Sequence, residues 1–138
     1  MQVEPFDVKD QVAVVTGATG VLGGAIAEGY ARQGMRVAIL GRNADKGNAV
    51  VKRIRESGGE AEFTALDVTS RESCEDAARQ VLARFGQVDV LVNSAGGNRP
   101  DATATDELSF FDLSDDGLQQ VLNLNAMGTV IPCQVFGA

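Results

Sequence analysis

A glycine-rich segment near the start of the chain has residue types and spacing that could bind a phosphate group. It reads Thr16-Gly17-Ala18-Thr19-Gly20-Val21-Leu22-Gly23 and directly follows a short apolar run at residues 12–15. Glycines allow a sharp turn and let a phosphate approach the backbone closely. A helix that begins after this turn would offer free N–H groups and the positive end of its dipole to that phosphate. The segment therefore predicts a pyrophosphate-binding turn, and the alternative is a tight strand-to-helix turn that binds no ligand.

Arg42 is the second candidate, because it stands where nucleotide-binding folds distinguish NAD from NADP. NAD-binding folds place an acidic residue about 20 residues beyond the glycines, where it binds the ribose hydroxyls. Gly41 has that place here, and Arg42 and Asn43 follow it. A glycine cannot bind the 2′-hydroxyl, whereas a guanidinium can pair with a 2′-phosphate. The sequence favours NADP over NAD as the cofactor, and the alternative is that Arg42 is an ordinary surface arginine.

Polar and small residues follow two further apolar runs. Asp67 and Val68 come after residues 60–66, and Asn93-Ser94-Ala95-Gly96-Gly97 comes after residues 88–92. Residues at the carboxyl ends of parallel strands lie at the edge of the sheet where ligands bind. Asp67 could accept a hydrogen bond from the adenine amino group or start the next turn. The small residues at 93–97 either leave room for the nicotinamide ribose or form a structural turn.

Four short apolar runs must position these residues. The runs at 12–15, 36–40, 60–66 and 88–92 predict strands, and the polar–apolar alternation of the third is typical of a strand nearer an edge. Helices are predicted from the glycine turn to about Gly34, over 44–56, from Ser70 to Gly86, and from Ser114 towards Pro132. Residues 94–113 are predicted to form a loop.

Alternating strands and helices predict an α/β fold with a parallel sheet and right-handed crossovers. We expect one domain over residues 1–138, a Rossmann-like three-layer α/β/α arrangement with strand order 3-2-1-4 that is truncated before the later strands. A ligand would bind between strands 1 and 4, where the strand order reverses. Leu22, Ile26 and Tyr30 recur at helical spacing and predict the buried face of the first helix.

Composition excludes several functional classes. The formal charge of −7 argues against nucleic acid or an anionic membrane as a partner, because both need a basic surface. The chain has no histidine, which excludes a histidine-dependent triad, and its two cysteines, Cys74 and Cys133, do not suggest a metal site. We expect both cysteines to be buried free thiols. Without a signal-like start or an apolar run of about 20 residues, the sequence indicates a cytoplasmic protein.

Taken in order and with their spacing, these motifs resemble the short-chain dehydrogenase/reductase family. Asn125-Ala126-Met127-Gly128 in the last predicted helix completes the resemblance. It implies an NAD(P)-dependent oxidoreductase in which Asp67 contacts adenine and residues 93–96 brace the sheet and the cofactor. It also implies that Asn125 is the helix asparagine of the catalytic tetrad and holds a water in the proton relay. The expected cofactor-binding residues are Gly17, Thr19, Gly20, Val21, Leu22, Gly23, Arg42, Asn43, Asp67, Val68, Asn93, Ala95 and Gly96.

The spacing of the glycines departs from the pattern of the family's classical branch. That branch places its middle glycine one residue later, at the position of Val21. The spacing here is commoner in the extended branch, which includes sugar-nucleotide epimerases. The segments at 93–96 and 125–128 are typical of the classical branch, and we side with it because two motifs outweigh one shifted glycine.

A narrower resemblance points to a substrate. Gly96-Gly97-Asn98 and Phe110-Phe111-Asp112-Leu113 are similar to the D-mannonate oxidoreductase, or fructuronate reductase, subgroup. This resemblance implies a small-molecule substrate, a sugar acid whose hydroxyl group is interconverted with a ketone.

The catalytic Ser and Tyr-x-x-x-Lys of the family would lie beyond the helix that contains Asn125. The sequence ends at Ala138, and its one tyrosine, Tyr30, has no lysine four residues later. We therefore expect the N-terminal part of a longer enzyme, inactive alone, whose strand 4 is an exposed edge that further chain or a homo-oligomer would cover. The alternatives are a non-catalytic nucleotide-binding module and a fragment of an extended-type epimerase.

Overall fold

The computed structural model describes residues 7–138, which form alternating strands and helices up to residue 93 and a largely helical segment from residue 115. Between them, residues 94–114 form a connection with two short 3-10 turns, Pro100–Ala102 and Phe110–Asp112. In chain order the strands and helices are β1 (Val12–Thr16), α1 (Val21–Arg32), β2 (Arg36–Gly41), α2 (Ala44–Glu56), β3 (Glu60–Ala65), α3 (Arg71–Phe85), β4 (Val90–Asn93), α4 (Asp115–Leu122), a π-helical turn (Asn123–Met127) and α5 (Gly128–Phe136).

The four strands form one parallel sheet in the order β3-β2-β1-β4. Val14 of β1 lies opposite Ala38 of β2 on one side and Leu91 of β4 on the other. This order confirms the predicted 3-2-1-4 topology. β3 and β4 are therefore the two edges of the sheet, and every residue of β4 is half-buried.

Helices cover both faces of the sheet and leave β1 completely buried. One face carries Val15 and Ile39, which pack with residues of α1 and α2. The other face carries Val14 and Leu40, which pack with residues of α3 and α5. Strands flank β1 on both edges and helices cover both of its faces. Its first four residues are therefore apolar, and the hydroxyl of the fifth, Thr16, donates a hydrogen bond to the Val92 carbonyl. The predicted three-layer arrangement is confirmed.

Side-chain caps begin three of the helices. Asn43 accepts a hydrogen bond from the Lys46 N–H at 2.9 Å, Ser70 from the Ser73 N–H, and Ser114 from the Gly117 N–H. Gly86 ends α3 with a φ of 80°. These capping residues explain why α3 and the last helical segment begin at the predicted serines.

The prediction for the buried face of α1 was wrong at Leu22. The residues that α1 buries are Gly23, Gly24, Ala27 and Ala31, whereas Leu22 is 71% exposed and Tyr30 packs only partly against the core. Small residues let the helix lie close to the sheet, so that a Cβ on Gly23 would come within 2.6 Å of the Gly17 carbonyl oxygen. Leu22 consequently points away from this contact, while Tyr30 packs at the margin of the core.

Three further differences concern the C-terminal half. β4 begins at Val90 rather than at residue 88, because the Asp89 side chain accepts a hydrogen bond from the Val12 N–H at 2.7 Å at this end of the sheet. The single helix predicted after Ser114 is divided into α4, a π-helical turn and α5. Cys74 is buried as expected, but Cys133, on α5, is exposed. No helix within residues 7–138 is long and apolar enough to span a membrane.

Candidate functional site

A cleft of about 620 Å³ opens at the carboxyl edge of the sheet, where the strand order reverses between β1 and β4. The glycine turn, the ends of β2 and β3, the segment after β4 and one side of α4 form its walls. Most of the residues expected from the sequence lie here together. These are Gly17, Thr19, Gly20, Val21, Leu22, Gly23, Arg42, Asp67, Val68, Ala95 and Gly96.

Gly17 brings the end of β1 into contact with the segment after β4. Its φ is +65°, a conformation that favours glycine, and a Cβ at this position would lie 2.6 Å from the Ala95 nitrogen and 2.7 Å from the Ser94 carbonyl carbon. Thr16 reinforces this contact, since its carbonyl accepts from the Ser94 hydroxyl and its own hydroxyl accepts from the Ala95 N–H. The floor of the cleft is therefore a direct junction of two backbones.

The N-terminus of α1 faces the cleft without a side-chain cap. Gly20 occupies the capping position, no acidic residue lies in the first turn, and the first helical residues, Val21 and Leu22, are largely exposed. The first N–H groups of a helix have no partner within that helix and carry partial positive charge. This arrangement suits an anionic group such as a pyrophosphate.

Asp67 and Arg42 lie on the β2–β3 side of the cleft. The Asp67 carboxylate accepts hydrogen bonds from the Thr69 hydroxyl at 2.7 Å and the Thr69 N–H at 2.9 Å. These two hydrogen bonds, helped by the charge of Arg42 and opposed by partial burial, hold the pKa of Asp67 below its ordinary value. Asp67 thus starts a turn, which is one of the two roles that the sequence left open. Its carboxylate is also a charged hydrogen-bond acceptor at the rim of the cleft.

Asn125 lies in the π-helical turn and contacts the segment after β4. Its side chain accepts from the Gly97 N–H at 3.2 Å and donates to the carbonyls of Gly97 and Val121, each at 2.8 Å. Its own carbonyl accepts from the Thr129 hydroxyl at 3.0 Å. A Cβ on Gly96 would lie 2.6 Å from the Asn125 Oδ1 atom. Asn125 is not among the lining residues, but it holds the loop that forms one wall.

Two other expected residues lie outside the cleft lining. Asn43 caps α2, and Asn93 donates to the Cys133 sulfur at 3.2 Å. The Asn93 Oδ1 atom is buried and has no hydrogen-bond partner within the part of the chain that the structure describes. Asn43 thus caps its own helix, and Asn93 joins the end of β4 to α5.

Several lining residues were not among those expected from the sequence. Ser94 and Gly97 could have been predicted from the sequence, because both belong to the small-residue segment after β4. The lining residues of α4 and of the π-helical turn could not have been predicted, since the path of the long connection decides which side of these helices faces the cleft. The additional residues are Gly41, Leu66, Thr69, Ser94, Gly97, Asn98, Arg99, Gln120, Val121, Asn123 and Leu124.

Comparison with known protein sequences identifies relatives over nearly the whole chain. The sequence profile of the short chain dehydrogenase family matches residues 11–137. An uncharacterised oxidoreductase of Bacillus subtilis (strain 168), UxuB, is 47% identical over 135 residues, which are 92% of this chain and 49% of that protein. The D-threitol dehydrogenase of Mycolicibacterium smegmatis is 37% identical over 132 residues, 96% of this chain and 48% of that protein. The chain thus spans about half the length of these relatives.

Solved structures share the same fold. A candidate D-mannonate oxidoreductase from Haemophilus influenza with bound NAD superposes with a TM-score of 0.90 at 34% identity, covering 95% of this chain and 50% of that one. A variant of actinorhodin polyketide ketoreductase with NADPH gives a TM-score of 0.81 at 35% identity, covering 92% of this chain and 46% of that one. By its sequence and by its fold, the chain belongs to the short-chain dehydrogenase/reductase family.

Proposed function

We propose that this chain is the cofactor-binding part of an NAD(P)-dependent oxidoreductase that interconverts a hydroxyl group and a ketone. The uncapped N-terminus of α1, which faces the cleft at the reversal of strand order, is the observation that carries the proposal. The solved relatives named above hold NAD in one case and NADPH in the other, which supports a nicotinamide cofactor.

The order of the strands indicates how the dinucleotide would lie. The pyrophosphate would meet the first N–H groups of α1, and the adenosine would extend towards the ends of β2 and β3. Asp67 would then accept from the adenine amino group, and Arg42 would pair with a 2′-phosphate. The nicotinamide ribose would lie towards Ala95 and Gly96. We infer a preference for NADP, because Gly41 offers no carboxylate for the 2′-hydroxyl.

Hydride exchange with the substrate carbon is the chemistry that the nicotinamide supplies when it is bound. The substrate hydroxyl also needs a proton donor and acceptor of suitable pKa. Tyr30 is the one tyrosine of the sequence, and it lies on α1, where it packs partly against the core and does not line the cleft. We therefore expect residues 1–138 to bind the cofactor without turnover, while Asn125 positions the loop and a relay water beside the nicotinamide.

A polyhydroxylated substrate is the second part of the proposal. The Haemophilus influenza neighbour is a candidate D-mannonate oxidoreductase, and the Mycolicibacterium smegmatis relative acts on D-threitol. The sequence resemblance to the D-mannonate oxidoreductase subgroup favours the sugar acid. We propose D-mannonate or D-fructuronate as the substrate of the whole enzyme.

The half-buried edge strand β4 also suggests partners. An apolar strand edge invites pairing with another strand. We propose that further chain or a second copy of the protein covers β4, and that the enzyme is a cytoplasmic homo-oligomer.

A titration of the 138-residue chain with NADPH and with NADH, followed by nucleotide fluorescence, tests this function. The proposal predicts saturable binding of both nucleotides, with NADPH bound more tightly. Addition of D-fructuronate to the NADPH complex should produce no loss of absorbance at the reduced nicotinamide band. Failure to bind either nucleotide would contradict the proposal.

A further inference from the structure

A second groove, of about 630 Å³, adjoins the nucleotide cleft on the β4 side. The two share Asn98 and Arg99, which follow the small-residue segment after β4. The remaining lining comes from residues 100–108, including Thr103, Thr105 and Glu107. Because the reacting part of a dinucleotide would lie on this side of the cleft, the groove is in the right place for a substrate.

Arg99 is one of two cationic residues that line the cleft in the described part of the chain. The other, Arg42, lies at the end of β2, on the far side of the glycine turn, and we have assigned it to the cofactor. Asp67, also on that side, is the one acidic residue among residues 7–138 that lines the cleft. The Arg99 guanidinium therefore lies on the β4 side of the cleft, away from the residues assigned to the cofactor.

Neighbouring side chains hold the Arg99 guanidinium in a fixed orientation. Asp101 accepts from its Nε at 2.9 Å and its Nη2 at 3.1 Å, and Gln120 of α4 accepts from its Nη1 at 2.8 Å. Asp101 itself packs on α4, since a Cβ at Gly117 would lie 2.9 Å from its carboxylate. A guanidinium has five N–H donors, so these three hydrogen bonds leave two for another acceptor. One of these remaining N–H groups is on Nη1 and the other on Nη2, the two adjacent nitrogens that a carboxylate bridges when it binds the end of a guanidinium.

Hydroxyl-binding groups line the same groove. Thr105 accepts from the N–H groups of Glu107 and Leu108, which leaves its hydroxyl hydrogen for an outside acceptor. Asn98 uses its Oδ1 for the Arg99 N–H at 2.9 Å, which leaves its amide N–H groups. Glu107 adds a carboxylate acceptor. This combination of donors and acceptors matches a chain of hydroxyl groups.

We propose that the groove along residues 98–108 is the substrate subsite, and that Arg99 binds the carboxylate of a polyhydroxylated monocarboxylate. This inference rests on the proposed oxidoreductase function and deepens it by assigning the substrate class to one residue. Asp101 and Gln120 are positioning residues, because they orient the guanidinium without contacting the substrate.

The test compares two ligands that differ at the carboxylate. The 138-residue chain, saturated with NADP⁺, is titrated with D-mannonate and with D-mannitol, and binding is followed by saturation-transfer NMR. We expect at least tenfold tighter binding of D-mannonate. Arg99→Gln should reduce this ratio to below threefold, and Arg99→Lys should give an intermediate ratio. Arg79→Gln, which removes another exposed arginine paired with a nearby aspartate, should leave the ratio unchanged.

The ratio of D-mannonate to D-mannitol affinity distinguishes recognition of the carboxylate by Arg99 from structural support of the loop. If Arg99 only held the loop in place, Arg99→Gln would weaken both ligands equally and preserve the ratio, which would overturn the inference. Equal binding of the two ligands to the unmodified chain, or no D-mannonate binding to the NADP⁺ complex, would also overturn it while leaving the cofactor function intact. Failure of NADP⁺ itself to bind would overturn the proposed function and this inference together.

Discussion

Asn125 and Gly97 form a cyclic pair of hydrogen bonds, in which the side-chain amide of one residue meets both backbone groups of the other. The Asn125 Oδ1 accepts from the Gly97 N–H, and the Asn125 Nδ2 donates to the Gly97 carbonyl. This pair joins the π-helical turn to the loop after β4, which links the cleft to the adjoining groove. The Asn125 side chain thereby helps to hold the wall between the proposed cofactor and substrate sites.

Asn125→Ala tests the contribution of this pair to stability. The change removes three hydrogen bonds, and we expect it to lower the free energy of unfolding by about 1–2 kcal/mol. Urea denaturation followed by circular dichroism measures the change. Asn123→Ala, in the same π-helical turn, is the matched control and should cost less than about 0.5 kcal/mol. Equal effects of the two variants would show that the pair does not hold the loop.

Gly17→Ala tests the close approach of β1 and the segment after β4. The new Cβ would meet backbone atoms of Ala95 at 2.6 Å in a residue with positive φ, so we expect a loss of about 3 kcal/mol or more. Gly58→Ala is the matched control, because Gly58 has a φ of +84° with nothing within 4 Å of an added Cβ. It should cost about 1 kcal/mol. Similar losses for both variants in thermal or urea unfolding would contradict the steric argument.

Arg42→Ala tests the cofactor preference. Loss of a charge-assisted contact with a 2′-phosphate should weaken NADPH binding about tenfold or more, because such hydrogen bonds contribute about 1.5–3 kcal/mol. NADH binding should change less than about twofold. Fluorescence titrations of both nucleotides measure the two affinities, with Arg79→Ala as a control for a change in net charge. A parallel loss of NADPH and NADH affinity would instead assign Arg42 to the shape of the site.

The Asp89 carboxylate makes stability depend on pH. A hydrogen bond from the Val12 N–H, and a second from the Gln87 side chain, lower the pKa of Asp89. A carboxyl group with a lowered pKa in the folded state contributes its stability above the unfolded pKa of about 3.9 and loses it as the pH falls through the folded pKa. Urea midpoints of the unmodified chain should therefore exceed those of Asp89→Asn above about pH 5 and converge with them in stronger acid. Asp106→Asn, on the exposed connection, is the control, and a constant gap at all pH values would contradict the assignment.

The strand positions and the starts of α3 and α4 were predictable because local signals determine them, and the strand order followed from the alternation of strands and helices. The apolar runs occur where the strands form, and Ser70 and Ser114 are N-cap residues in the structure as in the sequence. The buried face of α1 was not predictable from the spacing of large residues. Gly23 and Ala27 allow a close helix-to-sheet contact, and this turns Leu22 outward into the cleft.

The candidate site likewise contains residues that local sequence patterns predicted and residues that they did not. Residues that directly follow a strand, such as Gly17, Asp67 and Ala95, were found from the sequence because a parallel sheet brings the carboxyl ends of its strands to one edge. Arg99 and Gln120 were not found, because a connection of irregular structure places them side by side. Their contact depends on the folding of residues 100–114 as a whole rather than on any local pattern.

Chemical-shift mapping tests most directly whether the cleft at the carboxyl edge of the sheet binds a nicotinamide dinucleotide. A ¹H–¹⁵N correlation spectrum of the chain would be recorded with increasing NADPH. We expect the largest shifts at Gly17–Gly23, Arg42, Asp67 and Ala95–Gly96, while Gly86 and Asp89 at the opposite edge remain unchanged. Saturating shifts at the opposite edge, or no shifts at all, would contradict this expectation.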